Sequence, residues 1–172
     1  MVRVARFEKV SLRRFVTDWV ATFPQQTVEQ AVAAYERIRL PERATSGSAG
    51  YDLFAPVGFE LGAGEGIKIP TGLRVLIEEG WVLTIYPRSG LGFKYRFQLD
   101  NSVGVIDSDY ARSDNEGHIF AKITNDSKSQ KIVHVEAGNG FMQAIFIPYG
   151  ITYSDDATGV RNGGMGSTDG KA

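Results

Sequence analysis

From Pro41 onward the chain is divided into short runs of alternating apolar and polar residues, and these runs limit its fold more than any other feature. The clearest of them cover residues 67–69, 73–77, 81–86, 118–124, 131–137 and 142–147. Successive side chains of a strand point to opposite faces, so each run can place one face in a core and the other in water. Turn residues separate the runs, and no helical period lies between them. The pattern predicts an all-β fold, which can be a sandwich, a barrel or a jelly roll.

The first 40 residues have a helical pattern instead. In residues 11–23 the apolar side chains recur at the spacing of an amphipathic helix, and Ser11 can cap its start. These apolar residues are Leu12, Phe15, Val16, Trp19 and Val20. After Pro24, Thr27 and Gln30 have the spacing of a capping box, in which each side chain accepts a hydrogen bond from the other's backbone N–H. We therefore predict an N-terminal extension, residues 1–40, that contains two short α-helices.

Length and composition favour a single soluble domain. The 172 residues include 42% hydrophobic and 23% charged residues, with a formal net charge of −1. No run of about 18 apolar residues is present and charges interrupt the N-terminus, so we expect no membrane helix, no signal peptide and a cytoplasmic location. The absence of cysteine excludes disulfides and thiolate chemistry. Two histidines are too few for a histidine metal cluster, and His134 alternates with apolar neighbours, which predicts a strand residue.

Five basic residues near the N-terminus could form a nucleic-acid-binding arm or only the solvated face of a helix. They are Arg3, Arg6, Lys9, Arg13 and Arg14. The rest of the sequence offers no matching basic stretch. We therefore expect a solvated face, and binding neither to nucleic acid nor to a membrane.

Two glycine-rich segments are suited to binding an anion. "PRSGLG" offers the Arg88 guanidinium, the Ser89 hydroxyl and backbone amides in a tight turn at Gly90. "RNGGMGST" offers Arg161 and two hydroxyl residues around three glycines, although no lysine follows the glycines as a Walker loop requires. The alternative for the first segment is a proline turn with a surface arginine, and the alternative for the second is a flexible linker. The apolar-poor tail from Ser154 cannot pack by itself, so it is either disordered or folds over something.

Three aspartates stand where a carboxylate could take part in chemistry. Asp107 and Asp109 follow an apolar run, so they share a face if the strand continues through them and diverge if the chain turns. A carboxylate that ends a strand beside an anion site can act as a general base on water, which contributes about 10² to 10⁴ in rate. Asp52, after "SAGY", could hold water or a divalent ion. For each of them a simple turn-forming role is the alternative.

Taken together and in order, five segments resemble the five motifs of the trimeric dUTP diphosphatase (dUTPase) family. They are "AGYDL", "PRSGLG", "GVIDSDY", the glycine-rich turn before the strand with Gln143, and the C-terminal "RNGGMGST". The resemblance covers residues 41–172, whereas residues 1–40 match only a longer subset that is common among Firmicutes-like and phage-like sequences. The resemblance implies a hydrolase acting in nucleotide metabolism.

The resemblance also implies an architecture. We expect a distorted jelly-roll β domain at residues 41–153 and a flexible arm at residues 154–172, which closes over the active site of a neighbour in a homotrimer. Three sites would lie at the subunit interfaces. Mg²⁺ would be the cofactor, chelated mainly by the phosphates of dUTP, as this small ion commonly is.

Carried over by position, the resemblance gives each site residue a role. Asp107 would be the base that activates water for attack on the α-phosphorus, releasing pyrophosphate and dUMP. Tyr110 would lie under the deoxyribose and exclude a 2′-hydroxyl, and Asp52 would orient metal-bound water. The remaining residues would bind the substrate in three groups. The phosphates would be bound by Arg88, Ser89, Gly90 and Gln143, and the uracil edge by Asn101, Gly104, Val105 and Ile106. As the arm closes, further contacts to the phosphates would come from Arg161, Ser167 and Thr168. Asp109 is expected to be a structural turn residue that helps to set a hairpin before Tyr110.

The chain departs from the family pattern in three places. Met165 stands where the arm usually has an aromatic residue that stacks on uracil, so a softer thioether contact is expected. The arm motif is one residue shorter than the common form. After Tyr110 the usual short turn is expanded to "ARSDNEG".

Two alternative functions are compatible with parts of this sequence. A dCTP deaminase resembles this fold and its "G-x-I-D" run but needs a glutamate on the following strand, where Lys122 stands here. A binding or regulatory relative would need no turnover, and could use the N-terminal helices as a surface for a protein partner. Such a protein would not need Asp107, Arg88 and Arg161 together, and all three are present, which favours an enzyme.

Overall fold

The computed structural model describes residues 2–161, which contain eleven β-strands, three α-helices and one short 3-10 helix. The strands are β1 Ala5–Lys9, β2 Tyr51–Phe54, β3 Phe59–Leu61, β4 Gly66–Pro70, β5 Leu73–Ile77, β6 Trp81–Pro87, β7 Phe97–Leu99, β8 Gly104–Ile106, β9 Phe120–Asn125, β10 Val133–Val135 and β11 Gly140–Pro148. The α-helices are α1 Leu12–Thr22, α2 Val28–Glu36 and α3 Ser89–Tyr95, and the 3-10 helix is Tyr110–Arg112. The described part of the chain is therefore mostly β.

Both N-terminal helices begin at capped residues. The Ser11 hydroxyl accepts a hydrogen bond from Arg14 N–H at 3.1 Å, and Thr27 forms a complete capping box with Gln30. Such caps satisfy N–H groups that lack an acceptor within the helix, and each stabilises a helix by about 1 kcal/mol. The extension also contains a strand that was not predicted, because Ala5–Lys9 forms β1, antiparallel to β5.

The strands form four separate sheets. One has four strands in the order β2-β11-β6-β8, one has three in the order β4-β9-β7, and the pairs β1-β5 and β10-β3 complete the set. The paired strands are antiparallel throughout the described residues. His134 lies on β10, as its alternation with apolar residues predicted.

Helices and sheets share one hydrophobic core. Phe15 and Trp19 of α1 are buried at 0% and 1% exposure, and each such side chain stabilises the fold by about 2–3 kcal/mol. Phe15 packs against the turn between β4 and β5, where Gly72 has φ +73°. A Cβ on Gly72 would lie 2.2 Å from Ile38 Cδ1 and 3.0 Å from Phe15 Cδ2, so only glycine lets the helical region approach this closely.

Two local predictions need correction. "PRSGLG" is not an isolated tight turn, because Ser89–Tyr95 forms helix α3 and the Arg88 carbonyl accepts hydrogen bonds from Leu91 and Gly92 N–H, both at 3.0 Å. After Asp107 the chain enters the 3-10 helix rather than a hairpin. Among residues 2–161, no helix has the length and apolar character needed to cross a membrane.

Candidate active site

The four-stranded sheet brings four of the five motif segments side by side. β2 carries Asp52, β11 carries Gln143, β6 leads into Arg88, and β8 leads into Asp107. Asp52 lies directly opposite Gln143, which lies opposite Tyr86. Because directly opposed residues share a face of a sheet, these side chains line one face near the end of β6. The described part of the fifth segment, Arg161, lies elsewhere, beside Asp107.

Arg88 and Asp52 form the charged centre of this end of the sheet. Arg88 Nε lies 3.3 Å from Asp52 Oδ1, and Arg88 Nη1 donates to the Gly140 carbonyl at 3.4 Å. The Arg88 side chain is 45% exposed, so much of its donor fork faces water. A guanidinium in this position can bind a phosphate through two parallel hydrogen bonds.

Two glycines that the sequence did not single out make room for this cluster. A Cβ on Gly50 would lie 2.4 Å from Gln143 Cδ, and a Cβ on Gly140 would lie 2.6 Å from Arg88 Nη1. Both glycines belong to the segments that carry the resemblance, so their place within "AGYDL" and "GNGF" was the available signal. They allow Gln143 and Arg88 to lie against the backbone of neighbouring strands.

Helix α3 presents Ser89 and Gly90 next to Arg88. Arg88 is the N-cap residue, and its side chain makes no capping hydrogen bond. The first N–H groups of a helix have no acceptor within it, so those of Ser89 and Gly90 can donate to an anion. The segment therefore forms a helix instead of the predicted tight turn, and its binding of an anion stays a prediction.

Strand β8 is an edge strand of the sheet as far as the described residues extend. Gly104 lies opposite Ile85 and Ile106 opposite Leu83, so one side of β8 pairs with β6. The backbone groups on its other side can bond a ligand. Asn101 precedes this strand and is exposed, and Ser102 adopts φ +66°, an uncommon conformation for a non-glycine residue.

Asp107 and Asp109 lie together at the far end of β8 and share one partner. Arg161 Nη2 contacts Asp107 Oδ2, and Arg161 Nε donates to Asp109 Oδ1 at 2.8 Å. Both carboxylate side chains are about half exposed. The guanidinium carbon of Arg161 also lies 5.8 Å from the centre of the Tyr110 ring. Asp109 therefore has a charged partner, which the prediction of a mere turn residue did not include.

Tyr110 is held at its hydroxyl end. It is 3% exposed, its hydroxyl donates to the His118 carbonyl at 2.9 Å, and Asn115 Nδ2 donates to that hydroxyl at 2.9 Å. Burial raises the pKa of Tyr110, although the Asn115 hydrogen bond and the charge of Arg161 oppose the shift. No sequence motif pointed to Asn115 or His118 as supports of this tyrosine.

One chain does not bring the two polar ends of the sheet together. Ile106 lies three residues along β6 from Tyr86, which corresponds to about 10 Å along the strands. Asp107 lies one residue beyond Ile106, further from Tyr86. Across the sheet, three strand spacings of about 4.8 Å each separate Asp52, on β2, from β8. Asp107 therefore stands apart from the cluster of Arg88, Asp52 and Gln143.

A metal ion would find few protein ligands in this region. Residues 2–161 contain no group of three or more histidine or acidic side chains that could hold a metal. Asp52 is the carboxylate that pairs with Arg88. This donor set fits an ion that takes most of its ligands from a triphosphate and one carboxylate contact through water. Met165, Ser167 and Thr168 lie outside the described residues.

The chain is similar to known proteins. The family model described as dUTPase matches residues 36–169. The chain is 40% identical over 134 residues to the deoxyuridine 5′-triphosphate nucleotidohydrolase of Lactococcus lactis subsp. lactis (strain IL1403), covering 76% of this chain and 88% of that protein. It is 42% identical over 116 residues to the protein of the same name from Pectobacterium carotovorum subsp. carotovorum (strain PC1), covering 66% and 72%.

Solved structures match as well. The dUTPase from Streptococcus mutans has a TM-score of 0.61 at 34% identity, over 85% of this chain and 97% of that one. A dUTPase from phage phi11 of S. aureus has a TM-score of 0.63 at 19% identity, over 91% and 98%, which shows similarity of fold. From its four aligned motif segments, the family match and these relatives, we conclude that this chain belongs to the dUTPase family.

Proposed function

We propose that the chain hydrolyses dUTP to dUMP and pyrophosphate by attack of water on the α-phosphorus. The observation that carries this proposal is the four-stranded sheet, which carries Arg88, Asp52 and Gln143 at one end and leads through its edge strand β8 into Asp107 at the other. The enzyme is a dUTP nucleotidohydrolase, as its curated relatives are named. Its reaction would limit uracil incorporation into DNA and supply dUMP for dTTP synthesis. The protein would act in the cytoplasm.

Asp107 is the general base of the proposed reaction. Its carboxylate is half exposed at the end of β8, so water can reach it. It would accept a proton from the water molecule as the new oxygen–phosphorus bond forms, while the bond from the α-phosphorus to the bridging oxygen breaks and pyrophosphate leaves. Arg161 contacts this carboxylate, and the proposal requires Arg161 to move from Asp107 to the nucleotide.

The phosphates are bound at the other end of the sheet. Arg88, Ser89 and Gly90 donate hydrogen bonds to phosphate oxygens, and Gln143 adds a donor from β11. Bound Mg²⁺ would neutralise the charge on the triphosphate, with Asp52 orienting a metal-bound water molecule. The phage phi11 relative is described as coordinating a structural Mg(II) ion.

The base and sugar are selected around β8. Asn101 and the free backbone groups of Gly104, Val105 and Ile106 bond the uracil edge. The side chains of these three residues are apolar or absent, so discrimination between bases comes from main-chain donors and acceptors. Tyr110, fixed at its hydroxyl by Asn115 and His118, places its ring under the deoxyribose and leaves no room for a 2′-hydroxyl.

The C-terminal arm completes the site by closing over the nucleotide. Arg161 clamps the γ-phosphate, Met165 contacts the uracil, and Ser167 and Thr168 donate further hydrogen bonds to the phosphates. A preorganised set of donors acts mainly by positioning and charge stabilisation, which together can supply about 7–11 kcal/mol of the rate enhancement.

The active site is shared between the chains of a homotrimer. The separation of Asp107 from Arg88 within one chain supports this, because a base must come within hydrogen-bond reach of the attacking water. The face of the sheet that carries Gln143 also exposes apolar side chains, with Val105 at 59% and Ile147 at 38%, and a second copy could cover them. In this assembly the sheets would form the distorted jelly roll, residues 41–153, and the arm would reach a neighbour's site.

An assay with three nucleotides tests the proposed activity. The purified protein is incubated with dUTP, dCTP or dTTP and Mg²⁺, and pyrophosphate and ammonia are both measured. We expect pyrophosphate from dUTP alone. Ammonia from dCTP would show a deaminase instead, and release of pyrophosphate from all three substrates would contradict the proposed uracil pocket.

A further inference from the structure

The expanded loop after Tyr110, residues 111–117, is bonded to the N-terminal helix α1 rather than being free at the surface. The Glu116 carboxylate accepts hydrogen bonds from the Ser11 backbone N–H at 2.7 Å and from the Ser11 hydroxyl at 2.6 Å. Ser11 is also the N-cap of α1. One residue of the loop therefore contacts the capped end of this helix through two short hydrogen bonds to a charged group.

Glu116 combines an unfavourable backbone conformation with a stabilised charge. Its φ is +61°, in the left-handed region, which costs a residue with a Cβ about 1–2 kcal/mol. Burial opposes its ionisation, yet the hydrogen bonds from Ser11 and the nearby charges of Arg74 and Arg14 lower the pKa of Glu116. The carboxylate is thus charged at neutral pH and held in a backbone conformation that it would not favour alone.

A second contact, two residues further on, joins the same helix to the end of the loop. His118 is buried, and its Nδ1 lies 2.6 Å from Asp18 Oδ2 of α1. Gly72 N–H donates to His118 Nε2 at 2.8 Å, so Nε2 carries no proton and Nδ1 donates to Asp18. Arg14 also donates to Asp18 at 2.9 Å, which fixes the carboxylate on the helix surface.

The loop passes these restraints to Tyr110. The Tyr110 hydroxyl bonds the His118 carbonyl and the Asn115 amide, so both of its partners belong to the segment that α1 holds at Glu116 and His118. The Arg74 guanidinium donates to the Ala111 carbonyl at 3.2 Å from the β5 side. Gly117 closes the loop against Ala111, where a Cβ would lie 2.5 Å from Ala111 Cα.

We propose that helix α1 is a positioning element for substrate selection, in which Ser11 and Asp18 fix the loop of residues 111–117 and thereby the Tyr110 ring. Helix α1 lies before residues 36–169, which the family model matches, and it bonds a loop within them. This inference rests on the proposed role of Tyr110 under the deoxyribose. Ser11 and Asp18 act through Tyr110 and do not touch the substrate.

The test compares two N-cap variants, of which only the one at Ser11 removes a contact with the loop. Ser11→Ala removes a cap and one hydrogen bond to Glu116, whereas Thr27→Ala removes the cap of α2, whose hydrogen bonds lie within the first turn of that helix. Glu116→Ala removes the loop side of the contact, and Ser11→Thr restores a hydroxyl. For each variant the full chain is assayed with dUTP and UTP, and backbone hydrogen exchange of residues 111–117 is measured without nucleotide.

We expect Ser11→Ala and Glu116→Ala to lower the ratio of kcat/KM for dUTP over UTP by about tenfold, since misplacing a group by about 1 Å can cost about 100-fold. Their loop amides should exchange faster, and the double variant should be no worse than the more affected single one. Thr27→Ala should keep the wild-type ratio and loop protection, and Ser11→Thr should recover most of both.

Two results would overturn the inference. One is unchanged loop exchange in Ser11→Ala and Glu116→Ala, and the other is a wild-type dUTP/UTP ratio in both variants despite a lower unfolding temperature. Failure of the proposed function looks different, because the wild-type chain itself would then lack selective hydrolysis of dUTP. Hydrogen exchange would still report in that case whether α1 holds the loop.

Discussion

At the scale of single residues, the two aspartates at the end of β8 are chemically alike and differ in their proposed roles. Both are half exposed and both contact Arg161. Asp107→Asn should lower kcat for dUTP by about 10² to 10⁴, because the amide cannot accept the proton of the attacking water. Asp109→Asn is the matched control and should stay within about tenfold of wild type. Steady-state kinetics with dUTP measures both, and equal losses in the two variants would contradict the assignment of Asp107.

Arg88 is proposed to bind phosphate through its planar donor fork, so charge alone should not replace it. Arg88→Lys keeps the cation but cannot form two parallel hydrogen bonds, and we expect KM for dUTP to rise about tenfold. Arg96→Lys is the control, since Arg96 forms an exposed pair with Asp126 at 3.0 Å at the other end of α3. A wild-type KM in Arg88→Lys would argue against phosphate binding by this guanidinium fork.

At the scale of secondary-structure elements, the packing of the N-terminal helices on the sheets depends on Gly72. Gly72→Ala places a Cβ in the left-handed region and against Ile38 and Phe15, whereas Gly64→Ala meets only the backbone cost, since nothing lies within 4 Å there. We expect Gly64→Ala to lower the free energy of unfolding by about 1 kcal/mol and Gly72→Ala by about 2–4 kcal/mol. Urea unfolding measures both, and equal losses would contradict the close approach of the helices.

The contact between α1 and the loop of residues 111–117 should depend on pH. Because the folded protein lowers the pKa of Glu116 below its ordinary 4.5, its stabilising effect is fully present above that value and is lost as pH falls through the folded pKa. The stability difference between wild type and Glu116→Gln should therefore be constant near neutral pH and shrink below about pH 4.5. Denaturant unfolding from pH 7 to pH 3 measures it, and a difference that grows in acid would contradict this account.

Sequence patterns predicted the elements whose signal is local. Alternation located β4, β5, β6, β9, β10 and β11, and the Ser11 and Thr27 caps located both N-terminal helices. β1 was missed because "ARFEK" contains three charged residues and one large apolar residue, so its strand conformation depends on pairing with β5. Helix α3 was missed because its two glycines lower its helix propensity. In the folded chain this cost is offset by hydrogen bonds to the Arg88 carbonyl and by the partial burial of Leu91.

The candidate site was predictable only in part for the same reason. The ordered segments pointed to Asp52, Arg88, Asp107 and Gln143 as candidates, because family motifs are local in sequence. Contacts between distant residues have no such signal: Ser11 and Glu116 are 105 residues apart, and the fit of Gln143 against Gly50 follows from strand register. The position of Arg161 beside Asp109 likewise required the fold.

At the scale of the whole molecule, the proposed function requires an assembly. Closed symmetry would let one surface of each chain complete a site on the next, and it would cover the exposed apolar face around Val105 and Ile147. We expect light scattering at assay concentration to give three times the chain mass of 18.8 kDa. Val105→Asp, on that face, should reduce both the measured mass and the activity, whereas Ile132→Asp, at a residue that is 62% exposed on a different segment, should change neither. An active monomer would contradict a shared site.

The most direct test of that central claim, that Asp107 of one chain acts on a nucleotide bound by Arg88 of another, is complementation between two inactive variants. Asp107→Asn and Arg88→Ala chains are unfolded and refolded together in equal amounts, and hydrolysis of dUTP is compared with that of each variant refolded alone. If a site takes the two residues from different chains, random assembly restores both in about a quarter of the sites, so the mixture should reach about 25% of wild-type activity. Activity no higher than the average of the two separate variants would show that both residues serve the same site from one chain, and would contradict the account.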